Sequence, residues 1–145
     1  ISIYIKKIGS ASDGTVRIKG LTFLDLEQAR SASRVIVTCE EIAPQGFLRQ
    51  DPDQNSLPPF LVDAVVPVAL CAHPTACHFF YDYDPRHLNM YRLEAGDDQS
   101  FRRYLDQWVF DLPDQEAYLA KVGVNDLMNI KANTQVGYAP GLDRR

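Results

Sequence analysis

The sequence predicts an α/β protein with an open, mostly parallel sheet and a helical C-terminal region. A short β-branched run over residues 34–39 is typical of a strand inside a parallel sheet. A helical pattern precedes that run, as in a βαβ unit. Beyond residue 84, apolar residues recur at helical spacing. We therefore divide the chain into a strand-rich part (1–83), a helical part (84–131) and an extended tail (132–145).

Alternation defines the first elements. Isoleucines alternate with polar residues over residues 1–5, which predicts a strand. Residues 10–14 form a predicted turn whose glycine is free to adopt positive φ. Residues 15–19 alternate again, with Val16 and Ile18 on one face. This pattern predicts a hairpin or a short return strand.

Helix and strand signals follow one another after that turn. Residues 24–32 predict a short helix that Thr22 or Asp25 could cap. The strand over residues 34–39 is apolar at successive positions, so we expect it to be buried on both faces.

A long proline-rich loop separates this strand from the next one. Residues 44–59 hold four of the nine prolines and show no periodicity. Residues 62–68 predict another strand, and Pro67 indicates an edge or terminal position for it.

Four helices are predicted after the strands. Asp84 and Asp114 are expected to cap two of them, because a carboxylate there can accept from exposed backbone N–H groups. The first predicted helix starts at Pro85 and is ended by Gly96. The second carries the aromatic residues of 101–108. The third covers residues 115–122, and the fourth covers residues 125–131.

Composition and charge exclude several classes of protein. A net charge of −4 and a pI of about 5.3 argue against nucleic acid and anionic membranes as partners. No apolar run reaches the ~20 residues that cross a bilayer, and no signal peptide is visible. Three cysteines suit free thiols in a reducing compartment, so we predict a cytoplasmic protein.

Possible zinc ligands are dense between residues 71 and 78. The four candidates are Cys71, His73, Cys77 and His78, but their spacing contains no CxxC pair, so we predict no metal site. A Cys77 nucleophile with a histidine base is disfavoured, because strand neighbours point to opposite faces.

A third interpretation places a ligand or interface loop here. The loop would follow a parallel strand at the carboxyl edge of the sheet, where open α/β folds bind ligands. His73 and Thr75 could form hydrogen bonds to a ligand there. The alternative is a plain turn imposed by Pro74, and the sequence leaves both possibilities open.

Glu40 and Glu41 end a predicted strand at the same kind of edge. A carboxylate there could be a base or a nucleophile, although a solvated residue or a salt bridge is the commoner case. Tyr81 and Tyr83 belong to an aromatic stripe over residues 79–84, with Phe79 expected on the same side. The stripe could form a substrate wall, but core or interface packing is commoner for so much aromatic area.

Several ordered motifs resemble the A subunits of family I coenzyme A-transferases, of the glutaconate type. RVIVTCEEI at 34–42 is similar to the family's RVIVTVEEIVP. VDAVV at 62–66 and AHPTAC at 72–77 are similar to its VDAVV…GAHPTSC, with Cys71 in place of the glycine. The remaining matches are DGTVRIKG at 13–20, YDYD at 81–84, HLNMY at 87–91 and GYAPGL at 137–142.

The resemblance covers the C-terminal half of such a polypeptide. It implies the fold of coenzyme A-transferases and sugar-phosphate isomerases, and a chain that is part of a longer polypeptide. The implied partners are a B subunit and the N-terminal half of the same polypeptide, in a hetero-oligomer. Coenzyme A and acyl-CoA would be substrates, with no permanently bound cofactor.

The resemblance also implies a mechanism in which a glutamate of the B subunit carries CoA as a thioester. We therefore assign no catalytic residue to this chain. The candidates for the substrate site or the interface are His73, Thr75, Tyr81, Tyr83, Glu40 and Glu41.

Two alternatives remain. One is an acyl-CoA hydrolase of the same fold, acting on ring or β-keto acyl-CoA as in steroid-ring breakdown. The other is a non-catalytic assembly domain that uses the aromatic stripe and the long loop for docking.

Overall fold

The computed structural model describes residues 8–10, 13–44 and 46–142. The chain divides into two compact units on either side of the Ala72–His73 bond. Short parallel strands and five helices make the fold mixed α/β, as predicted. No helix in the described ranges is long and apolar enough to cross a membrane.

Among the described residues of the first unit, four short strands pair in parallel. Strand β1 (Ile8–Ser10) pairs with β3 (Glu41–Ile42), and β2 (Ile36–Cys39) pairs with β4 (Ala64–Pro67). Pro67 is the last residue of β4, which agrees with its predicted terminal position. The strand predicted over residues 1–5 lies outside the described residues.

The predicted return strand over residues 15–19 does not form a hairpin in the described residues. Val16 instead exchanges backbone hydrogen bonds with Leu57 at 3.0 and 3.1 Å, in one isolated antiparallel bridge. The turn before it does contain a left-handed glycine, Gly14, at φ +89°. The partner of residue 16 therefore comes from the proline-rich loop.

The core of the first unit lies on one face of β2. Val37 and Cys39 are buried, whereas Ile36 is 39% exposed, so the expectation of two buried faces was wrong. Apolar side chains from the turn, the helix and the loop cover only the inner face. The buried core residues are Val16, Ile18, Ala29, Val35, Val37 and Leu57.

Helix α1 (Asp25–Ser31) contributes Ala29 to this core. The side-chain cap predicted from Thr22 or Asp25 is absent from its N-terminus. The backbone N–H of Asp25 donates instead to the backbone oxygen of Thr22 at 2.8 Å. The turn thus provides a hydrogen-bond acceptor for one of the first N–H groups of the helix, which have no partner within the helix itself.

The buried guanidinium of Arg17 holds the proline-rich loop. Its Nη2 donates to the backbone oxygens of Leu48 (3.3 Å) and Asp51 (2.7 Å). Nε and Nη2 also donate to Oδ1 of Asn55. Because these acceptors lie 31 to 38 residues away in sequence, one side chain orders most of the loop.

Helices build the second unit. They are α2 (Pro85–Glu94), α3 (Asp98–Leu105), α4 (Gln115–Val122) and α5 (Val124–Ile130), with a π-helical turn (Asp106–Phe110) extending α3. Asp84, Asp97 and Asp114 each accept hydrogen bonds from backbone N–H groups of the following helix. The caps predicted at Asp84 and Asp114 are thus confirmed.

The tail is folded into turns rather than extended over its described residues. The N–H of Gly137 donates to the oxygen of Asn133, and the N–H of Asn133 donates to the oxygen of Tyr138, both at 2.8 Å. Gly137 has φ +80°, a conformation that glycine adopts without strain. Ala139 then donates to the buried carboxylate of Asp82 at 3.1 Å.

Candidate functional site

A polar group centred on two histidines lies inside the second unit. We call His73, Asp84, His87, Tyr104 and Tyr118 the histidine cluster. His73 begins the unit, Asp84 and His87 belong to the first turn of α2, and the tyrosines come from α3 and α4. The side chain of His73 is fully buried and that of Asp84 is 6% exposed.

Both ring nitrogens of His73 are hydrogen-bonded. Nε2 lies 3.2 Å from Oδ2 of Asp84, and Nδ1 lies 2.6 Å from the hydroxyl oxygen of Tyr118. A carboxylate can only accept, so in the neutral ring Nε2 carries the proton and Nδ1 accepts from the tyrosine. With both nitrogens occupied, His73 is not positioned to act as a base for Cys77.

His87 repeats this arrangement. Its Nε2 lies 2.9 Å from the hydroxyl oxygen of Tyr104, and its ring packs edge-on against Trp108 at 4.6 Å between centroids. The ring centroids of His87 and His73 are 5.3 Å apart. Each histidine is therefore oriented by one tyrosine hydroxyl.

The electrostatics keep both imidazoles neutral at pH 7. Burial lowers the pKa of His73, although the hydrogen bond and charge of Asp84 oppose this effect. Burial, and then the neighbouring His73, lower the pKa of His87. Burial raises the pKa of Tyr104, so its hydroxyl keeps its proton.

A cavity of about 310 Å³ adjoins the cluster within the second unit. Asp84, His87 and Trp108 line it together with Arg86, Lys121 and other residues of the helices. The ammonium of Lys121 lies 4.5 Å from the centroid of the Trp108 ring, a cation–π contact. Arg86 forms an ion pair with Asp126, which also lines the cavity.

Glu40 occupies a structural position in the first unit. Its carboxylate oxygens accept hydrogen bonds from the backbone N–H groups of Leu70 (2.8 Å) and Cys71 (3.0 Å). Leu70 has φ +55°, so the carboxylate holds a strained turn. Glu41 is exposed on β3, where it pairs with β1. The carboxylate of Glu40 thus serves as an acceptor for backbone N–H groups, whereas Glu41 is open to solvent.

Cys71 lies under this carboxylate. Its Sγ is 3.3 Å from Oε1 of Glu40. Burial and then the charge of Glu40 raise the pKa of the Cys71 thiol to about 12. All three cysteines are buried.

The other predicted site residues do not gather at one place. Thr75 is exposed, Tyr81 is buried and Tyr83 is half-buried. Tyr81 forms backbone bridges with Cys77 and Lys131. Phe79 has φ +71°, which breaks the alternation on which the predicted aromatic face depended. His73 alone joins the histidine cluster.

Sequence patterns did not identify Asp84, His87, Tyr104 and Tyr118 as members of a site. One local signal was present, because a helix-capping aspartate followed three residues later by histidine places both on the first turn. The tyrosines lie 17 residues from His87 and 45 residues from His73, so no local pattern connects them.

Comparison with curated proteins finds relatives among the CoA-transferases. The chain is 42% identical over 129 residues to the A subunit of glutaconate CoA-transferase from Acidaminococcus fermentans. It is 29% identical over 109 residues to the A subunit of 3-oxoadipate CoA-transferase from Pseudomonas knackmussii. The chain spans 40% and 38% of the lengths of these relatives. No family model matches the chain.

Solved structures agree with the sequence comparison. The crystal structure of glutaconate coenzyme A-transferase from Acidaminococcus fermentans superimposes on this chain with a TM-score of 0.87 and 39% sequence identity. The match covers 98% of this chain and 44% of the chain in the crystal structure. A C56S variant of the decarboxylase AibA/AibB matches 73% of this chain, with a TM-score of 0.56 and 28% identity. The chain is therefore homologous to part of a glutaconate CoA-transferase A subunit, whose fold it shares.

Proposed function

We propose that the chain is part of the A subunit of a heteromeric CoA-transferase. The enzyme would move CoA between an acyl-CoA and a small dicarboxylic or keto acid. The observation that carries this proposal is the combination of 42% identity with a structural match over 98% of the chain. The names of the two relatives include a dicarboxylic acid, glutaconate, and a keto acid, 3-oxoadipate, and this supports the substrate class.

The reacting glutamate would lie on the partner B subunit. Its carboxylate would attack the acyl-CoA, release CoA from the acyl group and then hold CoA as a thioester, freeing the donor as a carboxylate. In this chain, Glu40 has both carboxylate oxygens bonded to backbone N–H groups. That placement supports a structural role for Glu40 and a nucleophile elsewhere.

This part of the polypeptide would complete the shared site and the interface with the B subunit. Thr75 and Glu41 have exposed positions and remain candidates for contacts with substrate or with the partner. His73, Tyr81 and Glu40 would shape the loops that carry such contacts. An odd and small number of cysteines is typical of a reducing compartment, so we propose a cytoplasmic enzyme.

The test uses the polypeptide that carries this chain, purified with the proteins that accompany it. Native mass spectrometry should find a second subunit. Glutaryl-CoA added without an acceptor acid should then load that partner with the mass of CoA less one water. The adduct should map to a glutamate of the partner, and a Glu40→Gln variant should still form it.

Each alternative gives a different result. Continuous release of CoA without an acceptor would indicate a hydrolase, and release of CO2 would indicate a decarboxylase like the AibA/AibB relative. A partner that works equally well without this chain would indicate an assembly domain. An adduct on Glu40 itself would contradict the assignment of the nucleophile to the partner.

A further inference from the structure

The histidine cluster offers a donor set that the transferase chemistry does not use. In the part of the chain that the structure describes, His73, Asp84 and His87 form a group whose three ligand atoms lie within 4.8 Å of one another. Two imidazoles and one carboxylate are a common donor set for zinc and other divalent first-row metals. We propose that these three side chains form a binding site for one divalent transition-metal ion.

The distance between His73 and Asp84 fits such an ion, and all three ligand atoms lie within 4.8 Å of one another. With metal–ligand bonds of about 2.1 Å, the ligands of a tetrahedral zinc lie about 3.4 Å apart. Nε2 of His73 and Oδ2 of Asp84 are already 3.2 Å apart. Asp84 is fixed by its second oxygen, Oδ1, which accepts from the backbone N–H groups of Arg86 and His87.

The tyrosines supply the outer contacts that metal-bound histidines require. A ligating histidine generally has its other ring nitrogen hydrogen-bonded, which fixes the ring and its tautomer. Tyr118 does this for Nδ1 of His73, and Tyr104 does it for Nε2 of His87. A hydroxyl can donate or accept. His73 can therefore move its proton from Nε2 to Nδ1 and keep the bond to Tyr118.

The protein would supply three ligands, and the adjacent cavity would leave room for the remaining ligands of the metal ion. Asp84 and His87 both line the cavity of about 310 Å³, so a water or a small anion could complete the coordination. Of the four possible zinc ligands between residues 71 and 78 that the sequence offers, only His73 belongs to this site.

The test measures zinc binding by the polypeptide that carries this chain, produced without an affinity tag and treated with EDTA and dialysis. We expect one zinc per chain by elemental analysis, with affinity measured by competition with a chromophoric chelator. Co2+ should give the visible absorption bands of a low-symmetry site with nitrogen and oxygen ligands. Zinc should also raise the unfolding temperature, because it binds the folded state.

Two variants and one control assign the site. His87→Gln should lower zinc affinity by about 100-fold and remove the thermal shift, and Tyr104→Phe should lower affinity by about 10-fold. The control is His78→Gln, which removes a histidine of the same unit outside the cluster and should bind like the parent chain. If His87→Gln does not fold, Tyr104→Phe decides the assignment.

The proposal is overturned if the parent chain binds no zinc, or if His87→Gln or Tyr104→Phe binds it as tightly as the parent. It is equally overturned if His78→Gln loses the ion. None of these outcomes depends on CoA-transferase activity, so the metal site and the proposed function are tested independently.

Discussion

Oε1 of Glu40 accepts a hydrogen bond from the backbone N–H of Cys71 at 3.0 Å, across 31 residues of chain. The other oxygen accepts from Leu70 at 2.8 Å. This pair joins the end of β2 to the turn that precedes the Ala72–His73 bond. A residue that the sequence offers as a base or a nucleophile thus serves to hold the backbone.

Replacing Glu40 with glutamine should destabilise the first unit by about 2 kcal/mol. The amide keeps one acceptor, but its NH2 group would face a backbone N–H, and the negative charge that strengthens both bonds is lost. Urea unfolding followed by circular dichroism measures the change in midpoint. The matched control is Glu41→Gln, which is exposed and should change stability by less than about 0.5 kcal/mol. Equal effects of the two variants would contradict the structural role.

The cysteines should be unreactive in the folded protein. Burial and the nearby Glu40 raise the pKa of Cys71 to about 12, so its thiol stays protonated even at pH 10. Cys39 and Cys77 are buried as well. Titration with Ellman's reagent at pH 8 should find no reactive thiol in the native chain and three after denaturation. A thiol that reacts rapidly in the native chain at pH 8 would contradict the burial of that cysteine.

Local signals predicted the second unit well. Asp84 and Asp114 cap their helices because the groups they satisfy lie two or three residues away, and such spacing is visible in the sequence. Helix α4 has the predicted bounds for the same reason. The order of helix and strand predicted parallel strands, and β2 does pair in parallel with β4, although that particular pairing was not predicted.

Long-range partners were not predictable in this way. The acceptors of Arg17 lie more than 30 residues away, and nothing near residue 17 indicates that a cation is buried there. The aromatic stripe was misassigned because alternation assumes extended backbone, and Phe79 adopts positive φ. His73 was a candidate from its loop position alone, whereas its contact with Tyr118 depends on how α4 packs.

Arg17 should contribute far more to stability than an exposed arginine. Arg17→Met would leave the oxygens of Leu48 and Asp51 and the amide of Asn55 without this donor, at a cost of about 3 kcal/mol. Arg49→Met is the control. The side chain of Arg49 is 70% exposed and 3.5 Å from Asp13, so its loss should cost less than about 1 kcal/mol.

The loop gives a second measurement for the same pair of variants. In Arg17→Met, limited proteolysis should cleave within residues 46–56 faster than in the parent chain, because the loop loses its central donor. Arg49→Met should be cleaved at the parent rate. If Arg17→Met unfolds at the parent midpoint and resists protease equally, the loop is held by other contacts.

Gly137 should not tolerate alanine. A Cβ atom built at this residue lies 2.6 Å from Cε1 of His78, and the backbone is at φ +80°. Gly123 is the matched control, because it has φ +93° but nothing within 4 Å of a built Cβ. Gly123→Ala should therefore cost only the backbone strain of about 1–3 kcal/mol. Gly137→Ala should cost at least about 1 kcal/mol more, because either the ring or the turn must move.

A double-mutant cycle separates the contact from the strain. Adding His78→Ala to Gly137→Ala should restore part of the lost stability, since the ring that opposes the Cβ is gone. Adding His78→Ala to Gly123→Ala should give only the sum of the two single effects. Urea unfolding of the parent chain and of the single and double variants provides all the free energies of unfolding that the cycle needs. Additive free energies in both pairs would contradict the packing of the His78 ring against Gly137.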